Sequence, residues 1–301
     1  MARSPAPRNE SALVIINPVA GPNAQRVLQR DRLKRALEKA GLPPEWEETT
    51  PEHGADKIIE ENGGDGPVVV IGGDGTVQAA VRELAGGERP LAIVPRGSGN
   101  VFALHLGLSP RLDAALALVG KGRVRQVDVG SLGGEPFLLG VGMGIDARVV
   151  READRRWKRQ VGKLAYFVSV AKNLPVEHHD FELEVDGERI EERGVSVMVA
   201  NFGTRIGPFV YPEDAKGDDG RLDVAIMKAE TIEQVVGLLG SPILPRGMAD
   251  KGIRTYRGSH VRVRSDRPMA TQVDGEDVGD HHEFVCGIRE RVLRVFAPAD
   301  D

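Results

Sequence analysis

The chain holds a single cysteine, Cys286, among 301 residues. That excludes an internal disulfide and a cysteine-ligated zinc site, and it suits a reducing cytoplasm. Long apolar runs are missing as well. None approaches the length of a membrane span, and the opening MARSPAPRNESA lacks the apolar stretch of a secretory signal. Excess positive charge is also lacking: the formal net charge is −5 and the pI is near 5.9, which argues against nucleic acid as a partner. The pattern GxxxxGK[ST] is absent, so this is not a P-loop protein, and the glycine turn discussed below is not a GxGxxG turn. There is no internal repeat or low-complexity block. What is present is ordinary soluble-protein composition, 41% hydrophobic and 28% charged, at a length that suits two domains.

From residue 12 to about 108 the pattern alternates. ALVIINP (12–18), EWEETT, VVVI and LAIVP (91–95) read as short buried strands. Residues 27–41, HGADKIIEENGG, TVQAAVRELAGG and VFALHLGL read as helices. Such alternation predicts a parallel sheet covered on both faces, with ligands gathering beyond the carboxyl ends of its strands. After about residue 125 short strands with alternating apolar residues dominate, interrupted by helices near 148–173 and 231–240. The expected fold is an α/β domain with a parallel sheet, residues 1–128, and a β-rich antiparallel sandwich-like domain, residues 129–285; the last strand, RVLRVFAP, is apolar enough to pack on either.

Three loops fall at the strand ends of the first domain: NPVAG, GGDGTVQ and PRGSGN. In GGDGT, Gly72 and Gly73 permit close approach of phosphate. The N–H groups of Gly75 and Thr76 open the next helix and would face an anion. Asp74 then requires a cation or a hydroxyl proton beside it. Taken alone, Asp74 reads equally well as a helix N-cap. Acids recur in other glycine-marked turns and strand ends: Asp214, Asp218, Asp219, Asp223, Asp274 and Glu276. Phosphoryl transfer needs such carboxylates, for a divalent ion and for the attacking hydroxyl.

GGDGTVQ, the NPxxG turn, TTPEHGAD, PRGSGNVFA, VDVG, LGVGMGIDA, VANFGTRIGPFVYPEDAKGDDGRLDV and QVDGE together resemble the diacylglycerol kinase catalytic family. The likeness is to its bacterial lipid kinase branch, which is similar to sphingosine kinases. Val101 stands where the bacterial pattern usually has an acid, as in the sphingosine kinase variant. The resemblance implies ATP-dependent phosphorylation of a lipid hydroxyl, with ATP and Mg2+ as cofactors, and an architecture in which the α/β domain, residues 1–128, is the nucleotide-binding domain and is completed by 286–301. It implies nucleotide binding by Asn17, Pro18, Gly21, Thr50, Gly72, Gly73, Asp74, Gly75, Thr76, Gln78, Ser98 and Asn100. It implies a magnesium segment made by Asp219 with the backbone carbonyls of Lys216 and Arg221. Asp274 and Glu276 are the candidate bases, and Asp74 is expected to position the hydroxyl or a magnesium-bound water. The expected partners are a lipid acceptor and, peripherally, a membrane surface; a homodimer is one candidate assembly. Residues 148–167 carry seven bases against two acids and could lie on anionic headgroups; an internally packed helix is the competing reading. GLLGSPILPRGM (237–248) could flap over an acyl pocket or end a buried helix. His178–His179 and His281–His282 read as surface pairs. Two rivals remain: an NAD kinase or phosphofructokinase, against which the β-rich half matches neither pattern, and a silent nucleotide- or lipid-binding regulator.

Overall fold

A computed structural model describes residues 11–20, 26–97, 99–109, 118, 123–156, 171, 173–203, 215–235 and 252–298. The chain divides into two compact units, residues 1–127 with 291–301, and residues 128–290.

The first unit contains β1 (Ala12–Ile16), α1 (Arg26–Lys39), β2 (Pro44–Glu48), α2 (Ala55–Glu61), β3 (Val68–Gly72), α3 (Asp74–Leu84), β4 (Leu91–Pro95) and α4 (Val101–His105). β2, β1, β3 and β4 lie side by side in that order, all parallel. β3 and β4 are buried at every position because helices cover both faces, so their sequences are unbroken apolar runs rather than alternations. One face packs Val14, Val69, Ile71, Ala92 and Val94 against Leu33 and Leu37 of α1. The last strand of the chain, β14 (Glu276–Ala297), ends beside β4, pairing Val295 with Leu91 in parallel.

The second unit holds β5 (Arg123–Leu132, from Asp128 onward), β6 (Glu135–Phe137), β7 (Gly140–Gly144), α5 (Ile145–Arg156), β8 (His179–Val185), β9 (Glu188–Gly194), β10 (Ser196–Ala200), β11 (Leu222–Met227), β12 (Ile253–Gly258), β13 (His260–Val273) and β14 up to Glu290. The strands run in the order β12-β11-β10-β7-β13-β14, with β8 attached to β13 and β9 to β8. The pairings among β7 to β13 are antiparallel. Here the faces differ: β8 buries His179, Phe181, Leu183 and Val185 and turns the residues between them outward. Of these, Phe181, Leu183 and Val185 join Val141, Met143, Val197, Val199, Val224, Val261 and Val263 in one core. Among the described residues, no helix is long and apolar enough to cross a membrane. Of the basic stretch 148–167 only residues to Arg156 are described, and 237–248 lies wholly outside the described residues.

Candidate functional site

The first unit gathers three loops at the carboxyl ends of its strands. Leaving β1, Asn17 donates its backbone N–H to Ile71 O at 3.0 Å, and its side-chain amide donates to Thr76 Oγ1 at 3.0 Å. Asn17 Oδ1 accepts from Val19 N at 3.1 Å, which shapes the turn through Pro18. Thr76 Oγ1 is thus the acceptor that ties the turn after β1 to α3. Between β3 and α3, Gly73 is the extended cap and Asp74 is the first helical residue, so the N-cap reading of Asp74 does not hold. Thr76 N donates to Gly73 O at 3.1 Å. That N–H is therefore already paired within the turn, whereas the earlier amides of the helix have no intrahelical acceptor.

The loop after β4 crosses this turn at very short range. A methyl group built on Gly97 would stand 2.6 Å from Gly73 Cα, and one on Gly73 would stand 3.0 Å from Gly97 Cα. Two bare backbones pass where no side chain fits, which leaves a floor of peptide groups. Asn100 fixes the second loop: its Oδ1 accepts from Gly97 N and its Nδ2 donates to Gly97 O, both at 2.7 Å. It does so at φ 51, a conformation asparagine tolerates. Asp74 Oδ1 accepts from Phe102 N at 3.4 Å. Asn17, Gly72, Gly73, Asp74, Gly75, Thr76 and Asn100 are thus brought together, with Gln78 buried one turn into α3. Thr50 lies on an exposed turn after β2, where Oγ1 donates to Glu52 and accepts from His53 N. Gly21 and Ser98 lie outside the described residues. The glycine pair of PRGSGN, Gly97 and Gly99, was read from sequence as part of a phosphate- or ribose-facing turn; the Phe102 amide was not singled out.

In the second unit, β13 and β14 are joined by a two-residue turn. Val273 pairs with Glu276, and Asp274 and Gly275 take φ of 51 and 89. Asp-Gly at these angles is the type I′ turn that suits strand twist. The two candidate bases have different surroundings. Asp274 accepts three backbone N–H groups: Leu138 at 2.8 Å, Leu139 at 2.7 Å and Gly140 at 3.0 Å. Glu276 is exposed, and its side chain bonds to no described residue. Gln272 supports the same turn, its Oε1 accepting from Gly275 N at 2.8 Å. Beside Gln272 is Asp146, fully buried at the start of α5, whose Oδ1 accepts from Ser196 Oγ at 2.5 Å. Burial raises the pKa of Asp146 above the usual carboxylate range, against the hydrogen bonds it receives. Neither Gln272 nor Asp146 was expected from sequence to matter; the only hint was an acid closing the apolar run LGVGMGID.

The expected magnesium segment is the turn before β11. Gly220 N donates to the buried Asp128 Oδ2 at 2.7 Å, and Asp128 N donates to Gly217 O at 2.7 Å. Asn201 Nδ2 donates to Asp128 O at 3.0 Å and Leu138 O at 3.2 Å, linking this turn to the strand held by Asp274. Asp219 Oδ1 accepts from Arg221 N at 3.2 Å, and its Oδ2 is held by the Arg257 guanidinium, which also meets Asp223 Oδ1 at 3.4 Å. Among the described residues no three His, Cys, Asp or Glu side chains group as metal ligands. The all-oxygen set of Asp219 with the carbonyls of Lys216 and Arg221 fits a magnesium ion that keeps most of its waters, not a protein cage.

The diacylglycerol kinase catalytic domain profile matches residues 11–132, and the YegS C-terminal NAD kinase beta sandwich-like domain profile matches residues 140–297. The second description corrects the expectation that the β-rich half carries no NAD kinase likeness. Bacillus subtilis diacylglycerol kinase is 26% identical over 67% of this chain and 68% of its own length. A Pseudomonas savastanoi protein named probable lipid kinase YegS-like is 31% identical over 72% of this chain and 70% of its own. A Synechocystis protein is 27% identical over 75% of this chain, which spans about half (53%) of that relative's length. A Bacillus anthracis diacylglycerol kinase crystal structure superposes with a TM-score of 0.73 at 22% identity, over 96% of this chain and 97% of that one. With both halves matched in order and the strand-end loops in place, the chain belongs to the diacylglycerol kinase catalytic family, in its YegS-like lipid kinase branch.

Proposed function

We propose that this protein is an ATP- and magnesium-dependent lipid kinase that moves the γ-phosphoryl group of ATP onto a hydroxyl of a diacylglycerol-like or sphingoid lipid. The observation that carries the reading is the side-chain-free crossing of Gly73 and Gly97, bordered by the Asn17–Thr76 hydrogen bond and by Asp74. Peptide N–H groups at the start of α3 and the Thr76 hydroxyl receive the phosphates. Asp74 sits where an acceptor hydroxyl or a metal-bound water offsets its charge. A magnesium ion would supply positive charge to offset that developing on the transferred phosphoryl group. Asp219 and the carbonyls of Lys216 and Arg221 would hold it, with Arg257 yielding its hold on Asp219.

Glu276 is the base. Its carboxylate takes the acceptor O–H proton as the new O–P bond forms and the bond to the ADP oxygen breaks. Asp274 does not compete for that proton, because three amides already occupy it; its work is to fix the turn. Phosphoryl transfer depends chiefly on positioning and charge neutralisation, and this division of labour supplies both. The protein works at a membrane surface from one side, where its lipid acceptor resides.

The test is incubation with γ-labelled ATP and a total lipid extract, with products identified by mass, beside an arm containing NAD. A labelled lipid that disappears without magnesium supports the reading. Label on NAD instead would favour the rival that the NAD kinase-like description of the second half keeps open. ATP binding without turnover on either acceptor would favour a silent regulator.

A further inference from the structure

The β13–β14 turn is fastened by Asp274, by Gln272, and by a third residue to which the reading above gives no part. Arg151, on α5, forks onto Asp277, the residue after Glu276. Its Nε donates to Asp277 Oδ2 and its Nη2 to Oδ1, both at 2.9 Å, while Nη1 donates to Asp280 Oδ1 at 2.6 Å. The Arg151 side chain is 20% exposed, and these carboxylates raise its pKa, the hydrogen bond to Asp277 most of all. Arg151 is therefore one of the seven bases of 148–167 that does not face a membrane freely.

The fork meets the strand at an irregular place. Thr271 pairs with Gly279 and Gln272 with Asp277, so Val278 is an extra residue in β14. Gly279 takes φ 96, and its N–H donates to Asp277 Oδ1 at 3.2 Å. A bulge bends its strand and re-aims neighbouring side chains. β7 pairs with β13 at residues 271–273, so the strand still to be fixed beside the turn is the bulged β14. Ion pairs this exposed add little to overall stability, but a planar fork fixes direction as well as distance.

We propose that Arg151 is a positioning residue for phosphoryl transfer, holding the bulged strand beside the turn so that the Glu276 carboxylate keeps one orientation toward the acceptor hydroxyl. The proposal rests on Glu276 being the base.

The test compares wild-type protein with Arg151→Met, Arg151→Lys and Asp277→Asn in two measurements. In steady-state lipid phosphorylation, Arg151→Met should lower kcat by about 10²-fold, the scale of a roughly 1 Å misplacement. The KM for ATP should stay within about twofold, because the nucleotide loops do not include this contact. Asp277→Asn should follow it, and Arg151→Lys, which keeps charge without the fork, should fall between. In hydrogen exchange, amides of residues 273–279 should exchange faster in Arg151→Met, with the rest of residues 128–290 unchanged. A wild-type kcat in Arg151→Met, or unchanged exchange at 273–279, overturns the clamp. Faster exchange throughout the second unit with a lowered melting temperature makes Arg151 a stability residue only, which also overturns it. Wild-type protein that phosphorylates no lipid, with exchange at 273–279 still sensitive to Arg151, overturns the lipid kinase reading and with it a positioning role in transfer, and leaves Arg151 only as a structural tie on the turn.

Discussion

Asp274 and Glu276 stand two residues apart in QVDGE, yet substitution should separate them completely. Asp274→Ala removes the acceptor of three N–H groups at 2.7 to 3.0 Å. Hydrogen bonds to a charged group contribute about 1.5–3 kcal/mol each. Alanine also tolerates the φ of 51 poorly, at a further cost of about 1–2 kcal/mol. The sum, about 5 kcal/mol or more, rivals the whole stability of a typical domain, so this variant is expected not to fold its second unit. Asp274→Asn is the informative change. Its Oδ1 still serves Leu139 and Gly140, and asparagine accepts the left-handed conformation. Its NH2 replaces Oδ2 and faces the Leu138 N–H donor to donor. The expected cost is about 2–3 kcal/mol, the loss of one charged bond and weakening of two. Glu276→Gln, at an exposed site, should change stability by no more than about 0.5 kcal/mol, while lowering phosphoryl transfer by about 10²–10⁴-fold, the range of general base catalysis. Urea unfolding followed by circular dichroism, with kinase assays on the same preparations, measures both. At about 1–3 kcal/mol per molar urea, the Asp274→Asn midpoint should drop by about 1 M or more. An Asp274→Asn protein with the wild-type midpoint, or a Glu276→Gln protein with the wild-type rate, refutes the division of roles.

Three further outcomes are expected. Asp74→Asn should abolish transfer while the melting temperature stays near wild type; full activity in the purified variant contradicts the placement of Asp74 at the phosphates. Gly97→Ala puts a methyl 2.6 Å from Gly73 Cα, a backbone atom with no flexible retreat. It should cost about 1–3 kcal/mol of stability and weaken ATP binding at least tenfold by calorimetry, and unchanged affinity counts against a phosphate floor there. Asp146 has a raised pKa in the folded state through burial. Its contribution to stability is fully present below the ordinary aspartate pKa of about 3.9 and is lost as pH rises through the raised folded value. Asp146→Asn keeps an acceptor for Ser196 and cannot ionise, so its urea midpoint should gain on wild type from pH 4 to pH 7; parallel curves would show that Asp146 is not held above its normal range.

Much of the architecture was legible because local patterns and burial agree. Strands covered on both faces, such as VVVI and LAIVP, had to be continuous apolar runs, and strands covered on one face, such as β8, had to alternate. The strand-end loops were visible as glycine-bearing breaks after buried runs; each alone also reads as an ordinary turn, and it is their gathering at one sheet edge that distinguishes them. The return of the chain end to the first unit was placed at 286, whereas the division by contacts falls at Arg291, inside a strand whose sequence gives no break.

What the sequence alone determined is therefore the periodicity of each element and the chemical inventory of the loops: the glycine turns, the acids and the absence of cysteine chemistry. Which acid is anchored and which is exposed was decided only by tertiary structure. Residues 138–140 lie about 135 positions from Asp274, and Arg151 lies 126 from Asp277. Hydrogen bonds across such separations leave no periodic trace in a chain, because they depend on strand register and helix placement, and those are set by the packing of the whole core rather than by any neighbouring residue.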